Sequence, residues 1–133
     1  MKKLISLGLI IVLVLSFAVG CTKSAAYTDG DYTAESEPDD HGYKGVINIS
    51  VKGGKIETVD FDEFNAEGAR KSEDTKYAES MRGVSGVTPA EAYDQLKQSL
   101  ITKQNPDDID AVTGATGTSD TFKSLAKEAL SKK

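Results

Sequence analysis

The stretch Tyr43-Lys44-Gly45-Val46-Ile47-Asn48-Ile49-Ser50-Val51-Lys52-Gly53-Gly54-Lys55-Ile56-Glu57-Thr58-Val59-Asp60-Phe61 decides the fold. Ile47, Ile49 and Val51 alternate with Asn48 and Ser50, which predicts a strand with one buried and one wet face. Gly53-Gly54 between two lysines is the composition of a tight hairpin. The return run, Ile56 to Phe61, places Glu57, Val59 and Phe61 on one face by simple alternation, so Val59 and Phe61 are expected to face the core.

Working outward, Tyr27 to Ser36 opens the structured part. Asp29-Gly30 is a turn and Tyr32-Thr33-Ala34 a short strand, and Glu37-Pro38-Asp39-Asp40-His41-Gly42 has loop composition. Downstream, Asp62 to Gly86 has a weak pattern. Tyr77 and Met81 have the spacing of one short helix, and Arg70 to Asp74 reads as solvated. Thr88-Pro89-Ala90-Glu91 is a capping box with proline at the first helical position. Tyr93, Leu96 and Leu100 form the stripe behind it, and the helix must stop before Asn105-Pro106. A second helix is expected to start near Thr118-Ser119-Asp120, with Phe122, Leu125, Ala126, Ala129 and Leu130 as its apolar face. No internal repeat is visible. The predicted class is α+β, a small antiparallel sheet built on a hairpin with two capped helices packed on it.

The 133 residues allow one domain at most. Met1-Lys2-Lys3 precede an uncharged run from Leu4 to Gly20, the layout of a secretory signal. Its alternative is an uncleaved anchor helix, for which the run is at the short limit. Cys21 follows Leu15-Ser16-Phe17-Ala18-Val19-Gly20, a segment that resembles the lipobox of bacterial lipoproteins, with Ala18 where leucine is usual. The resemblance implies removal of residues 1–20, lipidation of Cys21, and a short tether, residues 21–28, ahead of a domain spanning 29–133. That domain would sit on the extracytoplasmic face of the cell membrane. A role for Cys21 as a catalytic thiol is not expected, because no histidine lies near it in sequence.

Composition excludes several classes. The net charge is −5, and loss of Lys2 and Lys3 leaves 14 basic against 21 acidic residues, about −7. Such a chain without a basic stripe is a poor partner for nucleic acid. One cysteine and one histidine, His41, exclude a disulfide framework, a histidine-built metal site and a histidine relay.

Chemistry concentrates in Asp110-Ala111-Val112-Thr113-Gly114-Ala115-Thr116-Gly117-Thr118-Ser119. It reads as a short strand running into a loop of small residues that opens the last helix. Gly114 and Gly117 permit positive φ and close approach of a ligand. Thr116, Thr118 and Ser119 offer hydroxyls, and the amides around Thr118 to Thr121 lack helical acceptors. A helix start of this kind suits an anion or phosphate. Set against this, serine and threonine at a helix start are commonly plain N-caps.

The pattern Asp-x-x-Thr-Gly-Ala-Thr followed by Gly-Thr-Ser resembles the flavinylation motif of FMN-binding domains. Such domains occur in the sodium-translocating NADH:quinone reductase, in Rnf electron-transfer complexes and in surface electron-transfer lipoproteins. Asp29-Gly30-Asp31-Tyr32, Gly42-Tyr43-Lys44-Gly45 and Val51-Lys52-Gly53-Gly54-Lys55-Ile56 are also similar to the opening of these domains, so the resemblance covers most of residues 27–131. Asn65 to Val87 lacks the Glu-Thr-Pro-like stretch of larger members.

The resemblance implies FMN joined to Thr116 by a phosphodiester and installed by a flavin transferase that uses FAD. Thr113, Gly114, Ala115, Thr118 and Ser119 would line the phosphate. Asp110 would orient the loop or engage the transferase, or else cap the Thr113-Gly114 turn. Tyr32, Tyr43, Tyr77, Tyr93 and Phe64 are the candidates for a flat partner to the flavin ring, and Lys123 is placed to approach the phosphate. The implied role is that of an electron carrier rather than an enzyme, taking electrons from a membrane dehydrogenase or quinol. The alternative is a binding or antigenic lipoprotein that holds FMN or another phosphorylated ligand noncovalently. A further possibility, a signalling role for the released leader peptide, leaves no mark in the sequence.

Overall fold

The computed structural model describes residues 27–132. The expected leader and Cys21 lie outside the described residues. Three antiparallel strands, β1 (Gly30–Glu35), β2 (Lys44–Lys52) and β3 (Lys55–Phe64), form one sheet in the order β1-β2-β3. Three α-helices follow: α1 (Thr75–Ser85), α2 (Pro89–Lys103) and α3 (Thr116–Ser131). Single 3-10 turns occupy Lys71–Glu73 and Pro106–Asp108. The architecture is the expected α+β arrangement.

The β2–β3 hairpin turns at Gly53 and Gly54, both at positive φ (59° and 74°). Strict alternation along β3 fails at one point. Ser50 pairs with Thr58 but Val51 pairs with Ile56, so Glu57 is an extra residue in a bulge. Ile56 thereby joins Ile47, Ile49, Val51 and Phe61 on the buried face, while Val59 packs at its margin and Glu57 stays in water.

The helices cover that face. Tyr93, Leu96 and Leu100 of α2 and Phe122, Leu125, Ala126 and Ala129 of α3 are buried against it. Phe61 is edge-on to both Tyr93 and Phe122, with ring centroids 5.0 and 5.1 Å away. Gly45 lets α3 close on β2, since a Cβ there would stand 3.0 Å from the Thr121 methyl and 3.1 Å from Leu125. Thr88 and Glu91 form the reciprocal capping box of α2. At its other end, Gln104 adopts a left-handed conformation (φ 59°). Its side-chain amide accepts from the Ile56 N–H (2.7 Å) and donates to the Ile56 carbonyl (2.8 Å), pairing with the bulged strand as a neighbouring residue would.

Two expectations need correction here. Arg70 to Asp74 is not wholly solvated, because Lys71 is 5% exposed. The segment before the Gly114 loop is not a strand: Ile109 and Val112 are buried, but no strand is assigned there. These two buried side chains are three positions apart, not the two that one face of a strand requires.

Candidate functional site

The motif loop and α3 meet at a cleft of about 640 Å³, lined on one wall by Gly114, Ala115, Thr116, Gly117 and Thr118. Tyr43, Glu63 and Lys71 make its floor, and Tyr77, Met81, Val84 and Ser85 of α1 make the facing wall. The volume is in the range of small-molecule sites.

α3 begins at Thr116, two residues before the expected start, and no side chain caps it. The first helical bond at this end is from the Ser119 N–H to the Ala115 carbonyl, 2.9 Å. The amides of Thr116, Gly117 and Thr118 therefore have no helical acceptor. By contrast, the Asp74 carboxylate caps α1 and the Thr88 hydroxyl caps α2. The serine and threonines of the motif are thus not N-caps. Thr116 is exposed in the first turn, and Thr118 Oγ1 lies 3.5 Å from Glu63 Oε1 at the floor.

Ser119 faces the other way. Its hydroxyl is fully buried, accepts from the Val112 N–H (2.9 Å) and donates to the Ala115 carbonyl (2.7 Å). Its burial and the commitment of its only proton to the Ala115 carbonyl withdraw Ser119 from the expected phosphate lining. The two glycines also part company. Gly114 has φ 84°, and a Cβ on it would lie 2.4 Å from the Ser85 carbonyl oxygen. Gly117 is helical with open space around it, so its expected positive φ is not found.

Asp110 and Thr113 lie on the far side of the loop, in a shallow polar groove that includes Arg82, Glu91, Gln95 and Ser99. Asp110 accepts from Lys103 Nζ at 2.9 Å, and this bond, with the charges of Lys103 and Lys123, holds its pKa below the ordinary carboxylate value. Lys123 therefore acts on the Asp110 side and is not among the cleft-lining residues. The turn before α3 is closed by backbone, the Ala115 N–H donating to the Val112 carbonyl (2.9 Å), not by the Asp110 side chain.

Periodicity concealed the floor. Glu63 and Lys71 are both buried and pair at 2.8 Å, with side chains 7% exposed. Tyr93 donates its hydroxyl to the same Glu63 oxygen at 2.7 Å. Burial opposes the charge of Lys71, but the hydrogen bond and charge of Glu63 outweigh it and raise its pKa. Desolvation, then the charge of Glu63, pushes the Tyr93 phenol up as well. The Lys71 ammonium also lies 4.5 Å from the Tyr43 ring centroid and 4.7 Å from that of Tyr77. Neighbouring Asp62 is satisfied separately by Arg70 and by the amide and hydroxyl of Ser72.

Of the five candidate ring partners, the cleft collects Tyr43 and Tyr77. Tyr93 is in the core, Tyr32 donates to the Thr28 carbonyl, and Phe64 lies under the Arg70 guanidinium. His41 stands at the exposed rim. Only a lone pattern of Lys-Ser-Glu after an irregular stretch could have hinted at Lys71, and a lysine in such a place is ordinarily in water.

Residues 42–131 match the family described as FMN-binding domain. The chain is 34% identical over 119 residues to a 15 kDa lipoprotein of Treponema pallidum (strain Nichols), covering 89% of this chain and 84% of that protein. A crystal structure of a Clostridium perfringens protein, 51% identical, superposes with a TM-score of 0.75 over 78% of this chain and 86% of that one. A solution structure of a Clostridium thermocellum protein, 30% identical, gives 0.50 over 77% and 89%. The matched region holds the whole cleft wall at the head of α3 and the floor beneath it, and the chain belongs to the FMN-binding domain family.

Proposed function

We propose that this protein is a membrane-anchored extracytoplasmic lipoprotein that carries FMN on Thr116 and serves as an electron carrier. The observation that carries the reading is the head of α3: an exposed threonine hydroxyl beside three amides without helical acceptors, opening into the cleft. A phosphodiester there meets the positive end of the helix. The floor does not repel it, because Lys71 neutralises Glu63, the buried carboxylate that lines the cleft. The fit extends to the flat part of FMN, for which the cleft has volume and two tyrosine rings.

The residues have distinct tasks. Thr116 Oγ1 would be the acceptor of the FMN phosphoryl group from FAD, a transfer in which an Oγ1–P bond would replace the pyrophosphate P–O bond, with AMP and the hydroxyl proton leaving. A flavin transferase supplies the catalysis. Gly114 gives the loop its positive φ, Ser119 holds it, and the amides of residues 116–118 would hold the phosphate oxygens. Bound FMN supplies reversible hydride and electron chemistry. Asp110 and Thr113, on the outer side of the loop, are available to the transferase rather than to the flavin.

The relative from Treponema pallidum is called a lipoprotein, which supports lipidation at Cys21. The N–H of Tyr27 donates to the Gly54 carbonyl and its hydroxyl to the Gln104 carbonyl. The chain therefore enters at the hairpin end of the sheet, whereas the cleft adjoins Tyr43 and Gly45 at the opposite end of β2. An anchor at Cys21 would hold the cleft on the side away from the bilayer.

The test is expression of the full chain with a flavin transferase, followed by denaturing gel fluorescence and intact mass. One added FMN moiety, lost in Thr116→Ala, is the expected result. Retention of the adduct in that variant would move the acceptor to Thr118 or another hydroxyl. A folded protein that never gains the adduct would leave noncovalent binding in the same cleft.

A further inference from the structure

The cleft contains a second built feature besides the head of α3. Tyr43, immediately before β2, and Tyr77, in the first turn of α1, approach edge-on with centroids 6.0 Å apart and planes at 63°. Two half-buried tyrosines on separate elements would ordinarily be free to change rotamer. Here the Lys71 ammonium faces both rings at 4.5 and 4.7 Å. That ammonium is itself immobilised by Glu63, which is in turn held by Tyr93. The chain of contacts runs from the core to the cleft, which both rings line. Val84 stands beside them at the rim, 89% exposed and the one large apolar side chain so exposed among the described residues. An isolated aliphatic group in water is unremarkable, but one on the wall of a cleft with two fixed rings extends an apolar surface.

We propose that Tyr43 and Tyr77, held in place by Lys71 as a positioning residue, are the seat of the planar isoalloxazine ring. Val84 of α1 covers its outer edge. The inference rests on FMN occupying this cleft. It assigns the ring to the first turn of α1 and the residue preceding β2.

The experiment uses the loaded full-length protein and reads flavin fluorescence and visible circular dichroism, because tyrosine stacking quenches the first and an asymmetric seat induces the second. The wild type should be strongly quenched relative to free FMN. Tyr43→Leu and Tyr77→Leu should each release the ring, with the seated-to-free ratio falling roughly three- to tenfold per aromatic contact. Tyr43→Phe and Tyr77→Phe should keep the wild-type circular dichroism and affinity, since the ring face and not the hydroxyl makes the seat, while losing quenching that depends on the electron-rich phenol. Wild-type fluorescence equal to that of free FMN, or leucine variants that match the wild type, would overturn the seat. Intact mass reads the Thr116 adduct separately, so a missing ester and a missing seat are told apart. If no adduct forms, free FMN is titrated into the same proteins. A roughly three- to tenfold weaker Kd in the leucine variants supports the seat, and equal affinities or no binding to the wild type refute it.

Discussion

The Ser119 hydroxyl accepts the Val112 N–H at 2.9 Å across the motif loop, and this one bond separates the residues that shape the loop from those that face the cleft. Val112 and Ser119 are both buried, so the amide has no access to water if the hydroxyl is removed. Ser119→Ala is expected to cost about 1–3 kcal/mol. The loss should be the same in flavin-free and flavin-loaded protein, as read by urea denaturation of each. A variant of full stability but weakened flavin binding would instead return Ser119 to the phosphate.

The two motif glycines should respond in opposite directions. Gly114→Ala places a Cβ 2.4 Å from the Ser85 carbonyl oxygen at a φ of 84°. The left-handed conformation alone costs about 1–2 kcal/mol, before the clash displaces α1. Gly117→Ala meets open space within helical backbone and should stabilise by about 0.5–1 kcal/mol. Thermal melts of the two variants, run side by side, check the contrast.

Lys71→Met strands Glu63 in the core with only the Tyr93 hydroxyl and the distant Thr118 as partners. Breaking a buried pair in this way costs about 3–5 kcal/mol, a large share of the stability of a small domain. The double variant Glu63→Gln/Lys71→Met removes both charges and should recover part of that loss. A double-mutant cycle of unfolding free energies that shows simple additivity would mean the pair is not coupled.

The same pair sets an alkaline limit. The folded pKa of Lys71 lies above its ordinary 10.5, so its stabilisation is complete below about 10.5 and is lost as pH climbs through the folded value. Tyr93 adds to the fall, because the fold retains a phenolic proton that the unfolded chain gives up above its ordinary 10.0. The stability advantage of wild type over Lys71→Met should therefore hold up to pH about 10.5 and shrink as the pH rises above it. Denaturation midpoints taken on both sides of that pH decide it.

Orientation follows from Tyr27 and Tyr43 lying near opposite ends of β2, a span of nine residues or about 30 Å. With the lipidated protein on liposomes, aqueous iodide should quench the flavin freely and a headgroup-attached quencher should not. Stronger quenching from the lipid side would place the cleft against the bilayer and favour direct exchange with quinol.

Local chemistry made the sheet and the helices legible. The Ile47-Ile49-Val51 alternation, the Gly53-Gly54 turn, the Thr88–Glu91 box and the Phe122–Ala129 stripe each specify an element from neighbours in sequence. The Glu57 bulge, the helical state of Gly117 and the early start of α3 were not legible, because each depends on what packs across it. The motif pointed to Thr116 for a reason that survives in the structure as open amides. Its flanks divided only on folding: Ser119 turned inward, Asp110 and Thr113 outward. The cleft floor was decided by tertiary structure alone. Glu63 and Lys71 are eight residues apart on different elements, and a charged pair becomes a buried unit only when a third segment, here α2 with Tyr93, closes over it and excludes water.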